Sequence, residues 1–287
     1  MRLSIKKILV PTDFSEVSLC ALDYAANIAR VAGAEIILLH VFESYQDNTK
    51  MKQPLNMKEI VESGIEDQLE EVKSQNKNLW GLKLRSKVMQ GKIHQQIQVA
   101  AKHEKIDLIV MGTHGVSGIG DISKFFLGSN AYRTVANAPC PILTVREAKK
   151  NIRFKDIVLP FDNSKESKLK VDFAIEWAKL FESTIHLLAL TAVLDELTLT
   201  SEISKLKKLV GEVETKLKNA NIPYHVKMMR NKKISSSVID YAKKSNADII
   251  FIVTGKVYAI NEILGASTQK NIITDSHVPV LSLHLKR

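Results

Sequence analysis

The sequence predicts an α/β protein built from two doubly wound, five-stranded parallel-sheet domains that pair as an internal pseudo-dimer. Three observations carry this. Apolar strand-like runs alternate with amphipathic helical runs along the chain, the pattern of a parallel sheet with right-handed crossovers. The series occurs twice: residues 6–42, KKILVPTDFSEVSLCALDYAANIARVAGAEIILLHVF, are echoed by residues 155–190, KDIVLPFDNSKESKLKVDFAIEWAKLFESTIHLLAL. Each half also closes on an apolar run, PILTVR and PVLSLH, and an exposed sheet edge of that kind has to be covered or paired. Pro11 and Asp13 match Pro160 and Asp162, KIDLIVMGT matches NADIIFIVTG, and APCPILTVR matches SHVPVLSLH. Each unit is domain-sized and occurs twice, so the chain is a duplication and not a solenoid.

Residues 7–11 form the first strand, a β-branched and leucine run fit to be buried on both faces. A helix follows over 15–32, with Ser15 as its N-cap and Gly33 as its stop. Residues 35–42 are the second strand. A helix near 56–78 repeats Val61, Ile65, Leu69 and Val72 on one face. A strand near 82–89, a helix near 92–104 and a strand at 106–111 come next. A glycine-rich loop leads to a helix near 127–137 and a last strand at 141–146. The second half repeats the order. Its long helix, about 200–219, carries Ile203, Leu206, Leu209, Val210, Val213 and Leu217. The basic stretch at 147–153 is the linker, which divides the chain into domains 1–147 and 152–287.

Composition narrows the function. The hydrophobic share of 45% and charged share of 25% are those of a soluble globular chain. Runs such as IILLHVF are too short to span a bilayer, and MRLSIKKILVPTDF makes a poor signal peptide. A cytoplasmic protein with no membrane partner is expected. Cys20 and Cys140, the only cysteines, give neither a disulfide framework nor a metal set. The formal charge of +10 invites a nucleic-acid partner. The lysines are mostly interleaved with glutamates, however, and the small clusters EAKKNIRFK and RNKK lack stacking aromatics. A solvated basic face and no nucleic-acid partner are expected.

The chemistry-bearing stretch is MGTHGVSGIGDISKFFLGSN, residues 111–130, which holds five of the chain's 12 glycines directly after a buried strand. Glycine costs backbone entropy on ordering, so this loop either turns sharply or brings its backbone close to something. Open parallel sheets bind ligands beyond the carboxyl ends of their strands, where the strand order reverses. If the first and fourth strands are neighbours, PTDFS and MGTHGVSG face each other across that crevice. Backbone N–H groups and the helix N-terminus near Gly128 and Ser129 would then cradle a phosphate with no lysine. The stretch is not a Walker loop, and GVSGIG follows the wrong strand for a dinucleotide fingerprint. On the residues alone, Asp13 reads as an Asx-type turn or helix cap, His114 as a loop hydrogen-bonder, and Val41 and Met111 as packing residues.

The order ILVPTD, LLHV, DLIVMGTHG, LGSNA, APCPILTV closely resembles the universal stress protein family over nearly all of residues 5–146. The second half resembles it more weakly, so the chain looks like a tandem universal stress protein with the adenine nucleotide alpha hydrolase-like fold. The nucleotide-binding branch of that family carries Gly-two-Gly-nine-Gly-Ser/Thr. Gly115, Gly118, Gly128 and Ser129 satisfy this literally. By position after the strand, Gly112 and Gly115 form the first pair, and twelve residues then separate Gly115 from Gly128. The resemblance implies an adenine nucleotide such as ATP, with Mg²⁺ riding on it. Asp13 and the backbone near Val41 would contact the adenine side, with Pro11 and Thr12 shaping that wall. Gly112, His114 and Gly115 would run along the ribose and phosphates, closed by Gly128, Ser129 and Asn130, with Met111 and Gly118 counted among the cofactor-binding residues.

The second half, IVTGKVYAINEILGAST, keeps Gly255 and Gly265 but lacks the second glycine of the pair. At most one nucleotide per chain is expected, in the first domain. No nucleophile–base pair, metal-ligand set or SGGxDS-type loop is present, so the leading expectation is a stress-responsive nucleotide-binding module, at most a slow ATPase. A nucleotide-independent scaffold for a protein partner is the alternative, and a hydrolase or transferase the third. Assembly beyond the pseudo-dimer, into a homo-oligomer, is left open.

Overall fold

A computed structural model describes residues 3–43, 57–113, 129–147, 151–191, 196–231, 233–254 and 264–284 of the chain. The first half runs β1 (Lys7–Thr12), α1 (Glu16–Ala32), β2 (Glu35–Phe42), α2 (Met57–Gln75), β3 (Leu84–Gln90), α3 (Ile93–His103), β4 (Leu108–Gly112), α4 (Ser129–Asn137) and β5 (Ile142–Val145). The second half repeats it as β6 (Asp156–Phe161), α5 (Lys165–Phe181), β7 (Thr184–Thr191), α6 (Glu196–Asn219), β8 (Tyr224–Arg230), α7 (Ile234–Lys244), β9 (Ile249–Thr254), α8 (Ala266–Asp275) and β10 (Val280–His284). A short 3-10 turn, Lys77–Leu79, follows α2.

Local signals set these boundaries. Ser15 Oγ accepts from Ser18 N at the start of α1, and Gly33 ends it in the left-handed region at φ 68°, a conformation glycine adopts without a Cβ penalty. Ser164 caps α5 in the same way. Aspartates clip the first strand of each half to its neighbour. Asp107 Oδ2 accepts from Lys6 N and Lys7 N at 2.8 and 3.0 Å. Asp248 Oδ2 accepts from Lys155 N and Asp156 N at 2.8 and 3.2 Å. The repeat read from the sequence is therefore also a repeat of bonds.

All ten strands form one sheet in the order β3-β2-β1-β4-β5-β10-β9-β6-β7-β8. Among the described residues every pairing is parallel except one: β5 and β10 meet antiparallel, with Leu143 opposite Leu281. The two closing strands thus pair with each other, and the two five-stranded halves form the internal pseudo-dimer.

Helices cover both faces and bury two cores. The α1, α2, α5 and α6 side is continuous across the halves. Phe154, which leaves the linker, sits in it at 2% exposure. Its ring meets Tyr24, Trp177 and Phe181 at 6.1, 5.5 and 5.0 Å, all edge-on, the favoured geometry for ring quadrupoles. Asn27 Nδ2 adds a bond to Ile152 O at 3.2 Å. One expectation is corrected here: Val61 is 41% exposed while Ile65 and Leu69 are buried. The first turns of α2 lie beyond the stretch that packs on the sheet. Among the described residues, no helix is long and apolar enough to cross a membrane.

Because Phe154 joins aromatic groups from both halves, Phe154→Ala is expected to lower the unfolding free energy by about 3–5 kcal/mol, measurable by urea titration.

Candidate functional site

The strand order reverses beside β1, which has β2 on one side and β4 on the other. A crevice at their carboxyl ends is where such sheets take ligands. The β1–β2 register sets Pro11 beside Leu39 and Thr12 beside His40. The β1–β4 register begins at Ile8 with Leu108 and Leu9 with Ile109; carried forward, it brings Pro11 level with Met111 and Thr12 level with Gly112. Alternation then sorts the residues by face. Leu9, Val41 and Met111 share a core with Ala131 and Val135 of α4, and Pro11 has the parity of Leu9. Thr12 and Gly112 point to the α1 side.

On the α1 side the residues hold the fold together. Ser18 Oγ donates to Ser15 O at 2.9 Å, which leaves Thr12 Oγ1 to donate to Ser18 Oγ at 3.0 Å. Thr12 Oγ1 in turn accepts from Phe14 N at 3.0 Å. Asp13 Oδ1 accepts from Ser15 N at 3.1 Å and from Ser15 Oγ at 2.5 Å. This is the Asx-type turn that its sequence position suggests.

Gly112 answers part of the glycine question. A Cβ there would lie 2.9 Å from Val17 Cγ1 and 3.2 Å from the Val17 backbone. The close partner of this glycine is the first turn of α1. Asn130 stands half-buried in the first turn of α4, and Ser129 opens that helix. His114, Gly115, Gly118 and Gly128 lie outside the described residues.

Sequence reasoning missed His40. Its ring stacks on Phe14 at 4.8 Å and 22°, and Nδ1 lies 2.9 Å from Thr12 O. A carbonyl only accepts, so Nδ1 carries the hydrogen. Burial pushes the His40 pKa down, against the Thr12 bond and the Asp13 charge, which keeps the ring neutral near pH 7. Phe14, at φ 63°, holds a backbone conformation rare for bulky residues, and the stack supports it. The available signal was a lone histidine interrupting the apolar run EIILLHVF.

The equivalent cleft of the second half differs. Its register begins at Ile157 with Ile249, so Val253 stands where the first half has Gly112. The first glycine of the pair is therefore lost as well, and Gly255 lies outside the described residues. Counting from the two prolines, Lys170 replaces Ala21. Long helical side chains lean toward the helix N-terminus, which carries the Lys170 ammonium up toward Asp162. Both residues are buried. Asp162 Oδ1 accepts from Ser164 N at 3.1 Å, Ser164 Oγ at 2.5 Å and Ser167 Oγ at 2.6 Å. Its Oδ2 accepts from Leu264 N at 3.3 Å. Burial lowers the Lys170 pKa to about 8, with the Asp162 charge opposing.

An open sheet with a proline–x–aspartate turn at its switch point defines a class of doubly wound α/β proteins. The chain belongs to the universal stress protein family, whose family model matches residues 4–146 and again 153–284. It is 35% identical over 150 residues to the universal stress protein MJ0531 of Methanocaldococcus jannaschii, covering 50% of this chain and 84% of that one. A Thermus aquaticus universal stress protein is 34% identical over 142 residues, covering 49% of this chain and 98% of its own. The crystal structure of a universal stress protein from Archaeoglobus fulgidus follows the whole chain, with TM-score 0.72, 22% identity and coverage of 99% and 97%. Among the described residues, no group of three or more His, Cys, Asp or Glu is arranged to hold a metal ion.

Two outcomes are expected. Gly112→Ala forces α1 away from β4 and lowers stability by about 1–3 kcal/mol in chemical denaturation, and adding Val17→Ala recovers part of the loss. For Lys170, the folded pKa lies below the unfolded one. From about pH 8 up to its ordinary 10.5, the unfolded chain keeps a proton that the fold has released, so this group makes stability rise with pH. Thermal melts of Lys170→Met across pH 7 to 10.5 will lack that rise.

Proposed function

We propose that this chain is a stress-response regulatory module that binds one adenine nucleotide of the ATP type, in the crevice of the first half. The observation that carries this reading is the asymmetry between two equivalent crevices. In the first, Pro11, Val41 and Met111 share one sheet face with α4, and an apolar wall of this kind suits an adenine ring. The first turn of α4 and the glycine-rich backbone before it supply donors for the phosphates. Gly112, Gly115, Gly118, Gly128, Ser129 and Asn130 are the residues assigned to that side, with His114 beside them. Asp13 is assigned to the adenine side, with Thr12 shaping the turn. Mg²⁺ would travel on the nucleotide and take few protein ligands. The domains that divide this labour are 1–147 and 152–287.

In the second crevice, Val253 stands at the position of Gly112, and the buried Asp162–Lys170 pair stands at the positions of Asp13 and Ala21. That half is assigned a scaffold role. Among the described residues of the first crevice no nucleophile–base constellation forms; binding and switching are assigned to it, with hydrolysis at most slow. One observation favours the alternative of a nucleotide-independent scaffold: twelve residues separate Gly115 from Gly128, a long span for a tight phosphate cradle.

Purified without added nucleotide and then denatured, the protein is expected to release about one adenine nucleotide per chain, identified by chromatography and mass spectrometry. Gly128→Val with Ser129→Val is expected to abolish it. No released nucleotide, together with no calorimetric binding of ATP and Mg²⁺, would contradict the proposal and leave the scaffold.

A further inference from the structure

The seam between the halves carries a reciprocal pair of side-chain contacts. His284 ends β10 in the second half. Its Nε2 lies 2.5 Å from Val135 O on α4 of the first half and 3.2 Å from Thr254 Oγ1. The carbonyl can only accept, so Nε2 carries the hydrogen and donates. Burial pushes the His284 pKa down, against the Val135 bond, and the ring is neutral near pH 7. Arg146 follows β5 at the matching place in the first half. Its Nη1 donates to Thr274 O on α8 of the second half at 3.1 Å. The two helices also touch directly, with Lys270 Nζ 5.2 Å from the centre of the Tyr132 ring.

Each half therefore holds the helix of the other half that follows the fourth strand. The two contacts differ in what that helix does. In the second half, α8 follows a stretch without the glycine pair. In the first half, α4 forms a wall of the nucleotide crevice. It packs through Ala131 and Val135 against the cluster that contains Val41 and Met111, and its first turn faces the proposed phosphate side. The His284 bond at Val135 and the packing of Ala131 hold this nine-residue helix at two points, which limits the swing of its N-terminal end.

We propose that His284 is a positioning residue for the first-half site: the second half, without a phosphate cradle of its own, orients α4 for the nucleotide's phosphates through this hydrogen bond. The proposal rests on the nucleotide reading above. It gives the degenerate half a stated task in ligand binding.

The test is calorimetric titration of the full chain with ATP and Mg²⁺ and, separately, with adenosine. His284→Ala should weaken ATP by about fivefold, the factor that accompanies one hydrogen bond, and leave adenosine unchanged. His284→Gln, whose amide N–H₂ reaches the same carbonyl, should restore ATP affinity. Arg146→Ala, the mirror contact on α8, should leave ATP affinity as in the wild type. Hydrogen exchange should speed up in α4 for His284→Ala and in α8 for Arg146→Ala, a readout that needs no ligand. Unchanged ATP binding by His284→Ala, equal loss of ATP and adenosine, or unaltered exchange in α4 would overturn the inference while the nucleotide reading stands. A wild-type chain that binds neither ligand would overturn that reading, and the inference with it.

Discussion

The antiparallel meeting of β5 and β10 is the constraint on which the rest of the molecule depends. Each half alone would end on a short apolar strand with unpaired backbone donors and acceptors, an invitation to aggregation. Joined through Leu143 and Leu281, each edge satisfies the other. The join fixes a pseudo-two-fold relation, makes one sheet of ten strands, and lets one core run under both halves. Phe154 enters that core at its centre, so the linker is part of the packing and not a tether. The contacts of Arg146 and His284 across the seam exist only because the join brings α4 and α8 together.

Duplication within that frame lets the two crevices diverge. A sheet position that is Gly112 in one half is Val253 in the other, and a helix position that is Ala21 in one is Lys170 in the other. Neither change disturbs the strand ladder, since both act through side-chain volume and charge. In the first half the aspartate after the proline is half-exposed. In the second it is buried, ringed by serine hydroxyls and faced by an ammonium. Burying two opposite charges is costly, and here the aspartate turn and the helix lysine are held together as internal structure.

Much of the fold was legible because it is written in local signals. Continuous apolar runs marked the strands, Ser15 and Gly33 marked the ends of α1, and the repeated proline–x–aspartate marked the duplication. The pairing of the closing strands followed from their being exposed edges. The site was less legible. Gly112 lies close against Val17, a contact far away in sequence and invisible to spacing. His40 and Phe14 meet only because β2 lies beside β1. Lys170 carries no sequence signal of its own, and only the folded chain sets its charge against Asp162. Val61 fitted the helical stripe but lies where α2 runs past the sheet. These gaps share one cause: periodicity reports which face a residue is on, not what stands opposite.

The central claim is that the seam makes two homologous halves one cooperative structure. Native-state hydrogen exchange under rising denaturant tests it most directly. The amides of β1 and β4 in the first half, and of β6 and β9 in the second, should converge on one common opening free energy. Separate opening of the two sets, with one half exchanging while the other stays protected, would contradict the account.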